Sequence, residues 1–251
     1  MTRYLALLDQ AAPGLLEGLY LVGSVALDDF RPGQSNIDFV AVTAKRPSAG
    51  TLGAVETVHR RLALEAGPAF DGFYIERTGI GRQPDPHRIL PYELGGHFHR
   101  RSACFETNPV TWAIWRDHGI AVRGPEPSTL GLSIDPVALI DFAQRNLAGY
   151  WTDWVVAHWG GPADAALAVR GVLGVLRLAH VLATGLVASK TGAGRWALKH
   201  FKPFWHPIIR EALAARRGRS VPMPMPLARY HAALDFVAFV VTDARTNHPL
   251  R

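Results

Sequence analysis

The chain has 251 residues, 48% of them hydrophobic and 19% charged, which is enough apolar material for one large or two small cores and too much for a disordered chain. Its single cysteine, Cys104, excludes an internal disulfide. The N-terminus lacks the basic stretch, apolar run and small-residue cleavage site of a secretory signal, so a cytoplasmic protein is expected. The net charge of +6 is unevenly placed: residues 1–134 hold 13 of the 27 Lys and Arg and 14 of the 21 Asp and Glu, leaving 14 basic and 7 acidic residues for the rest. A basic excess confined to the second half suits an anionic partner, and it speaks to association rather than to fold.

Taken in order, residues 3–12 predict an opening helix that stops at Pro13-Gly14. The apolar run Leu19-Tyr-Leu-Val-Gly predicts a strand, and Ile37-Asp-Phe-Val-Ala-Val predicts another beyond a loop holding Pro32 and Gly33. A helix over residues 52–64 leads to a third strand over 70–79. There follow a loop rich in Pro and His, a strand over 97–104, a helix capped by Asn108-Pro109, and the β-rich run Ile120-Ala-Val-Arg. After the turn-rich Arg123-Gly-Pro-Glu-Pro-Ser-Thr the pattern becomes helical, over 136–158, 163–186, 190–200, 204–217 and 227–243. Gly160-Gly161-Pro162 and Pro222-Met-Pro-Met-Pro226 break these runs. Two domains are therefore expected, over residues 1–130 and 131–251. The longest apolar region, 165–188, is interrupted by Arg170, Arg177 and His180, so it predicts a core helix, and no membrane partner.

The sharpest feature is Gly23-Ser24 at the end of one apolar strand, followed by Asn36-Ile37-Asp38-Phe39 opening the next. Side chains alternate along a strand, so residues 36 and 38 share a face and converge beside Ser24 while Ile37 and Phe39 point into the core. Phosphoryl-type transfer needs such a face, because side-by-side carboxylates hold Mg²⁺ against triphosphate oxygens. A Gly-Ser turn lets backbone and hydroxyl approach a phosphate closely.

Gly-Ser, a spacer and then Asn-x-Asp opening a strand resembles the nucleotidyltransferase superfamily related to polymerase β, whose hallmark at that place is Asp-x-Asp. The run from Leu19 to Val40 resembles the signature of aminoglycoside adenylyltransferases that modify streptomycin and spectinomycin. Asn108-Pro-Val-Thr-Trp112 with Gly119 and Arg123-Gly-Pro125 is similar to their connecting segment. The helical stretch from Leu173 to Leu213, with Thr184-Gly185 and Ser189-Lys190, is similar to their C-terminal domain. The resemblance spans nearly the whole chain. It implies an α+β protein with a mixed-sheet nucleotidyltransferase domain and an all-α helical bundle, working as a monomer. The implied reaction moves AMP from ATP, with Mg²⁺, to a hydroxyl of an aminoglycoside-like acceptor, as in antibiotic resistance.

The chain departs from that pattern at Asn36, which stands where the family has its first metal aspartate. An amide oxygen ligates Mg²⁺ without bringing charge. A slow enzyme, a nucleotide binder without turnover, and a substitution introduced to trap a complex all fit this. The metal set is then Asn36, Asp38 and a third carboxylate. Asp71 in Phe70-Asp-Gly-Phe-Tyr-Ile resembles the family's catalytic glutamate, with Glu76 as the fallback; five residues apart on a strand, they face opposite sides, so at most one joins the site.

Gly23, Ser24 and Lys190 are the expected nucleotide ligands, Lys190 because the family's lysine at the Ser-Lys position reaches the triphosphate. Arg170 and Arg177 lie two turns apart on one face of a very apolar helix, where a buried arginine calls for an anionic partner. Against this, their long stems can reach solvent from such a helix. Tyr150, Trp154 and His158, with Trp151, form an aromatic stripe read first as core and second as an acceptor wall. His97 and His99 share a strand face without the further ligands zinc wants. The basic tract 214–220 reads as a solvated helix end, with RNA binding as the minor alternative. Aminoglycosides are cations, yet Ala165-Ala-Leu-Ala-Val-Arg170 lacks the acidic residues that precede the similar arginine in streptomycin-modifying relatives. Another hydroxylated small molecule, or an RNA end, therefore stays open as acceptor.

Overall fold

The computed structural model describes residues 1–162, 164–219 and 227–247, and the chain divides into two compact units, Met1–Asp135 and Pro136–Arg251. The proline-rich break from Pro222 to Pro226 and Ser220 of the basic tract lie outside the described residues.

The first unit opens with α1 (Thr2–Ala11) and continues through β1 (Leu16–Leu21), the one-turn α2 (Gly23–Ala26), β2 (Ile37–Thr43), α3 (Ala49–Ala63) and β3 (Phe70–Glu76). It ends with β4 (Ile89–Leu94), β5 (His97–Ala103), α4 (Pro109–His118) and β6 (Ile120–Arg123). The six strands form one sheet in the order β5-β4-β3-β2-β1-β6. Only β2 and β3 run parallel, joined by α3; the other neighbours are antiparallel. The mixed sheet with flanking helices is as expected.

The stretch expected to be loop between residues 80 and 96 contains β4, which sequence pattern missed. Pro91 hides it, since proline lacks the N–H a ladder needs. A register shift between Leu90 and Tyr92 accommodates the proline, and β4 closes on β5 through the two-residue turn Gly95-Gly96, both at positive φ (60° and 84°).

Alternation decides what each face carries. Tyr4, Leu7 and Leu8 of α1 and Val55 and Val58 of α3 pack on the face that presents Leu19, Phe39, Ala41 and Tyr74. On the opposite face Trp112 of α4 stacks on Phe73, with centroids 5.9 Å apart. That same opposite face carries Asp38 and Asp71 at the β2–β3 end nearest α2.

The second unit is helical: α5 (Pro136–Asn146) runs through a π-turn (Leu147–Trp151) into α6 (Thr152–His158), followed by α7 (Ala165–Thr184), α8 (Lys190–His200), a 3-10 turn (Pro203–Trp205), α9 (His206–Arg216) and α10 (Leu227–Asn247). α7 is long and apolar enough to cross a bilayer, but it packs against α5, α8, α9 and α10 and so serves as the core helix. Its boundaries are written locally. The Asp164 carboxylate caps the N-terminus by accepting from the Ala166 and Leu167 amides (2.7 and 3.1 Å), and Gly185 at φ 69° ends it. Gly171 and Gly174 leave room for Trp154 and Trp151: a methyl group on either would strike the indole ring. Those two rings are core, as the first reading of the aromatic stripe held, whereas Tyr150 is exposed.

Candidate active site

β1 ends at Leu21, and the Val22 amide donates to the Asp38 carbonyl (2.9 Å), so the chain leaves the sheet beside the start of β2. Gly23 then turns at φ 59° into α2. Two constraints demand glycine here: the left-handed backbone, and the Asp38 carboxylate, whose Oδ2 occupies the space a Cβ would fill. The Ser24 hydroxyl is buried and makes no hydrogen bond. Behind it the Asp29 amide donates to the Ser24 carbonyl (2.9 Å), and the almost fully buried Asp29 carboxylate lies 3.5 Å from Arg31. Asp28 between them holds φ at 50°, a strained value for a residue with a Cβ. The loop is thus pinned from behind while its hydroxyl stays uncommitted.

Parallel pairing puts Asp38 level with Asp71, so the two side chains emerge side by side. Asn36, just ahead of β2, reaches across: its Nδ2 donates to Asp71 Oδ2 at 2.6 Å. The other Asp71 oxygen accepts from the Gly95 amide at 3.0 Å, and Asp71 is 6% exposed. The structure therefore gathers Gly23, Ser24, Asn36, Asp38 and Asp71 at one end of the sheet. Glu76 ends at the far end of β3, lining a separate cavity of about 420 Å³ with Thr43, Arg46 and Arg101. Register decides between the two acids.

Sequence reasoning passed over Glu93. It pairs with Gly72, one residue along from Asp71, and therefore points to the opposite, helix-covered face. There it is 4% exposed, with Oε2 without a hydrogen bond and 3.8 Å from His59 Nδ1. Burial first, and the Asp71 charge second, push its carboxyl up to about 7. Burial lowers His59 to about 4, so the imidazole is neutral, and its Nε2 meets Tyr74 Oη at 2.7 Å. Tyr74 in turn meets Tyr4 Oη at 2.5 Å. The Gly95-Gly96 turn touches both faces: Gly95 donates to Asp71 and Gly96 to Glu93. The available signal was a lone Glu within an apolar alternation, next to Gly-Gly.

On the second unit, Arg177 is half-buried and its Nε donates to the Ala188 carbonyl (3.2 Å). That places it beside the Ser189-Lys190 corner, where the Ser189 hydroxyl accepts from the Gly192 amide (3.0 Å) and Lys190 opens α8. Arg170 corrects the sequence reading: it is exposed, so burial does not require an anion for it. It lies near the solvated start of α7, where its stem reaches water. His99 stacks on Tyr92 at 4.4 Å rather than joining His97.

A Gly-Ser turn that feeds a strand pair bearing acidic side chains on one face, in a mixed sheet followed by a helical unit, is a nucleotidyltransferase fold. Residues 157–240 match the family model for the C-terminal domain of aminoglycoside adenylyltransferases. In fold, the chain is similar to a crystal structure of spectinomycin adenyltransferase AAD(9) from Enterococcus faecialis with ATP and spectinomycin, at TM-score 0.67 and 12% identity over 96% of this chain and 97% of that one. No curated protein matches the sequence. The resemblance to aminoglycoside nucleotidyltransferases is thus met in sequence over residues 157–240 and in fold over almost the whole length.

Proposed function

We propose that the chain moves AMP from ATP to a hydroxyl of an aminoglycoside-class acceptor. The observation that carries this is the gathering of Asn36, Asp38 and Asp71 against the Gly23-Ser24 turn. The C-terminal family match and the fold shared with an enzyme bound to ATP and spectinomycin support it.

Asp71 is the base. It is the most enclosed carboxylate of the group, fixed by two hydrogen bonds, and set to take the proton of an attacking hydroxyl. The Gly23-Ser24 turn holds a phosphate, with the uncommitted Ser24 hydroxyl as a donor. Lys190 and Arg177 are the cationic phosphate ligands of the second unit. Fixing nucleotide and acceptor in line supplies much of the rate.

The donors fit Mg²⁺, which takes one or two carboxylates and completes its shell with phosphate and water oxygens. Asp38 and Asp71 would hold it, and Asn36 would add an amide oxygen once its Nδ2 released Asp71. Among the described residues no three His, Cys, Asp or Glu side chains are grouped to hold an ion, and phosphate and water oxygens would supply the remaining ligands. Bound there, the ion would neutralise triphosphate oxygens.

One observation favours a second reading, a nucleotide binder without turnover: the Asn36 amide satisfies Asp71 without any cation. Labelled ATP with Mg²⁺, an aminoglycoside panel and total tRNA separates the two. AMP transfer to an aminoglycoside supports the first; ATP binding without transfer to any acceptor overturns it in favour of the second.

A further inference from the structure

The basic excess of the second half lies wholly within one segment. Between residues 190 and 219 there are eight Lys and Arg and a single acid, Glu211, whereas the remainder of residues 135–251 holds six basic and six acidic residues. Glu211 is itself paired to Arg229. Arg195, Lys199, Lys202, Arg210, Arg217 and Arg219 are all exposed, and none makes an ion pair among the described residues.

Helix electrostatics accounts for only part of this. Lys199 in the last turn of α8 is favoured by the helix dipole. Arg195, one turn earlier, repels it at the i,i+4 spacing, and Arg210 sits within α9. Like charges kept together without partners point to a counter-charge that arrives with a ligand.

Phe204 stands in the middle of the segment. The 3-10 turn is anchored by Trp205, whose ring packs on Phe236 and Phe239 at 5.2 and 5.1 Å. With Trp205 turned inward, Phe204 touches its edge at 4.9 Å and remains 79% exposed. An exposed flat ring two residues along the chain from Lys202, in a segment rich in cations, suits a chain of phosphates and unstacked bases.

We propose that the edge formed by α8, the 3-10 turn and α9 is a docking surface for unpaired RNA, a loop or an end, with the exposed cations on the phosphates and Phe204 under a base. A lipid surface fits less well, because an interfacial helix needs a free apolar face. Ala193 and Ala197 of α8 and Ile208, Ile209 and Leu213 of α9 are all buried. Duplex nucleic acid keeps its bases stacked and offers nothing to Phe204.

The test is fluorescence anisotropy of the full chain with a labelled oligouridylate, over a range of salt. Binding should weaken steeply with salt, with a slope of roughly 0.7 per phosphate neutralised. Lys199→Glu combined with Lys202→Glu should lower affinity at least ~10-fold and flatten that slope. Phe204→Ala, at a site too exposed to threaten the fold, should weaken binding roughly tenfold with the slope unchanged. Asp38→Asn and excess ATP should leave RNA binding intact, which separates this surface from the nucleotide site. Four results would overturn the proposal: no effect of the charge reversal, no effect of Phe204→Ala, displacement by ATP, or equally tight binding of duplex DNA or phosphatidylserine vesicles.

Discussion

The Asn36 side chain donates a 2.6 Å hydrogen bond to Asp71, linking the position that resembles the family's metal aspartate to the carboxylate proposed as base. The amide gives a nearly buried carboxylate a donor, and on the proposed reading it stands in for a cation there. Asn36→Asp should therefore have opposite effects with and without the ion. In EDTA the variant loses the donor and sets two carboxylates against each other, lowering stability by about 1–2 kcal/mol in thermal melts. With Mg²⁺ and ATP that loss should be regained and AMP transfer should rise. A rate unchanged by the substitution, with ATP affinity indifferent to Mg²⁺ in both forms, would show that this face is not a metal site.

Gly23→Ala should abolish most transfer while leaving the chain folded. The new methyl falls on Asp38 Oδ2, and alanine at φ 59° costs about 1–2 kcal/mol besides. Turnover measured beside the melting temperature tests this. Wild-type activity in the variant would mean that the Asp38 carboxylate is free to move without consequence.

Glu93 should set an alkaline limb on stability. Its folded-state pKa of about 7 lies above the ordinary 4.5, so its contribution is full below pH ~4.5 and lost as pH rises through 7. His59 acts in the opposite sense: lowered from 6.5 to about 4, it contributes above pH ~6.5 and loses that contribution as pH falls through 4. Glu93→Gln removes the first limb and keeps the second. Its stability relative to wild type should improve between pH 4.5 and 8 by on the order of 1–3 kcal/mol in denaturant titrations. A difference that does not vary with pH would place the charge of Glu93 elsewhere.

Gly174→Ala should destabilise the second unit despite alanine's better helix propensity, worth up to about 1 kcal/mol. The methyl overlaps the Trp151 ring, which is locked between α7 and the π-turn, and overpacking of this kind costs about 1–3 kcal/mol. A lower melting temperature with altered tryptophan emission is expected. A gain in stability would mean that the ring moves aside freely.

The parts legible in the sequence are those governed by neighbours along the chain. Asn108 as a helix cap, Pro13-Gly14 as a helix stop, the apolar runs of β1 and β2 and the helical periods of the second half all follow from interactions within a few residues. The Gly23-Ser24 turn and the shared face of residues 36 and 38 were legible for the same reason, since alternation along one strand fixes them. Which acid joins them was not. Asp71 rather than Glu76 faces Asp38 because β2 and β3 pair in one particular register, and that register is set by Phe39, Phe73 and Tyr74 finding their layers. β4 stayed hidden because the bulge that accommodates Pro91 exists only in company with β5. Glu93 became a buried acid, and Arg170 an exposed cation, through packing with residues far away in sequence. Short-range pattern determines which elements form and where they stop; burial, and with it the protonation of a carboxylate, is decided when distant elements exclude water together.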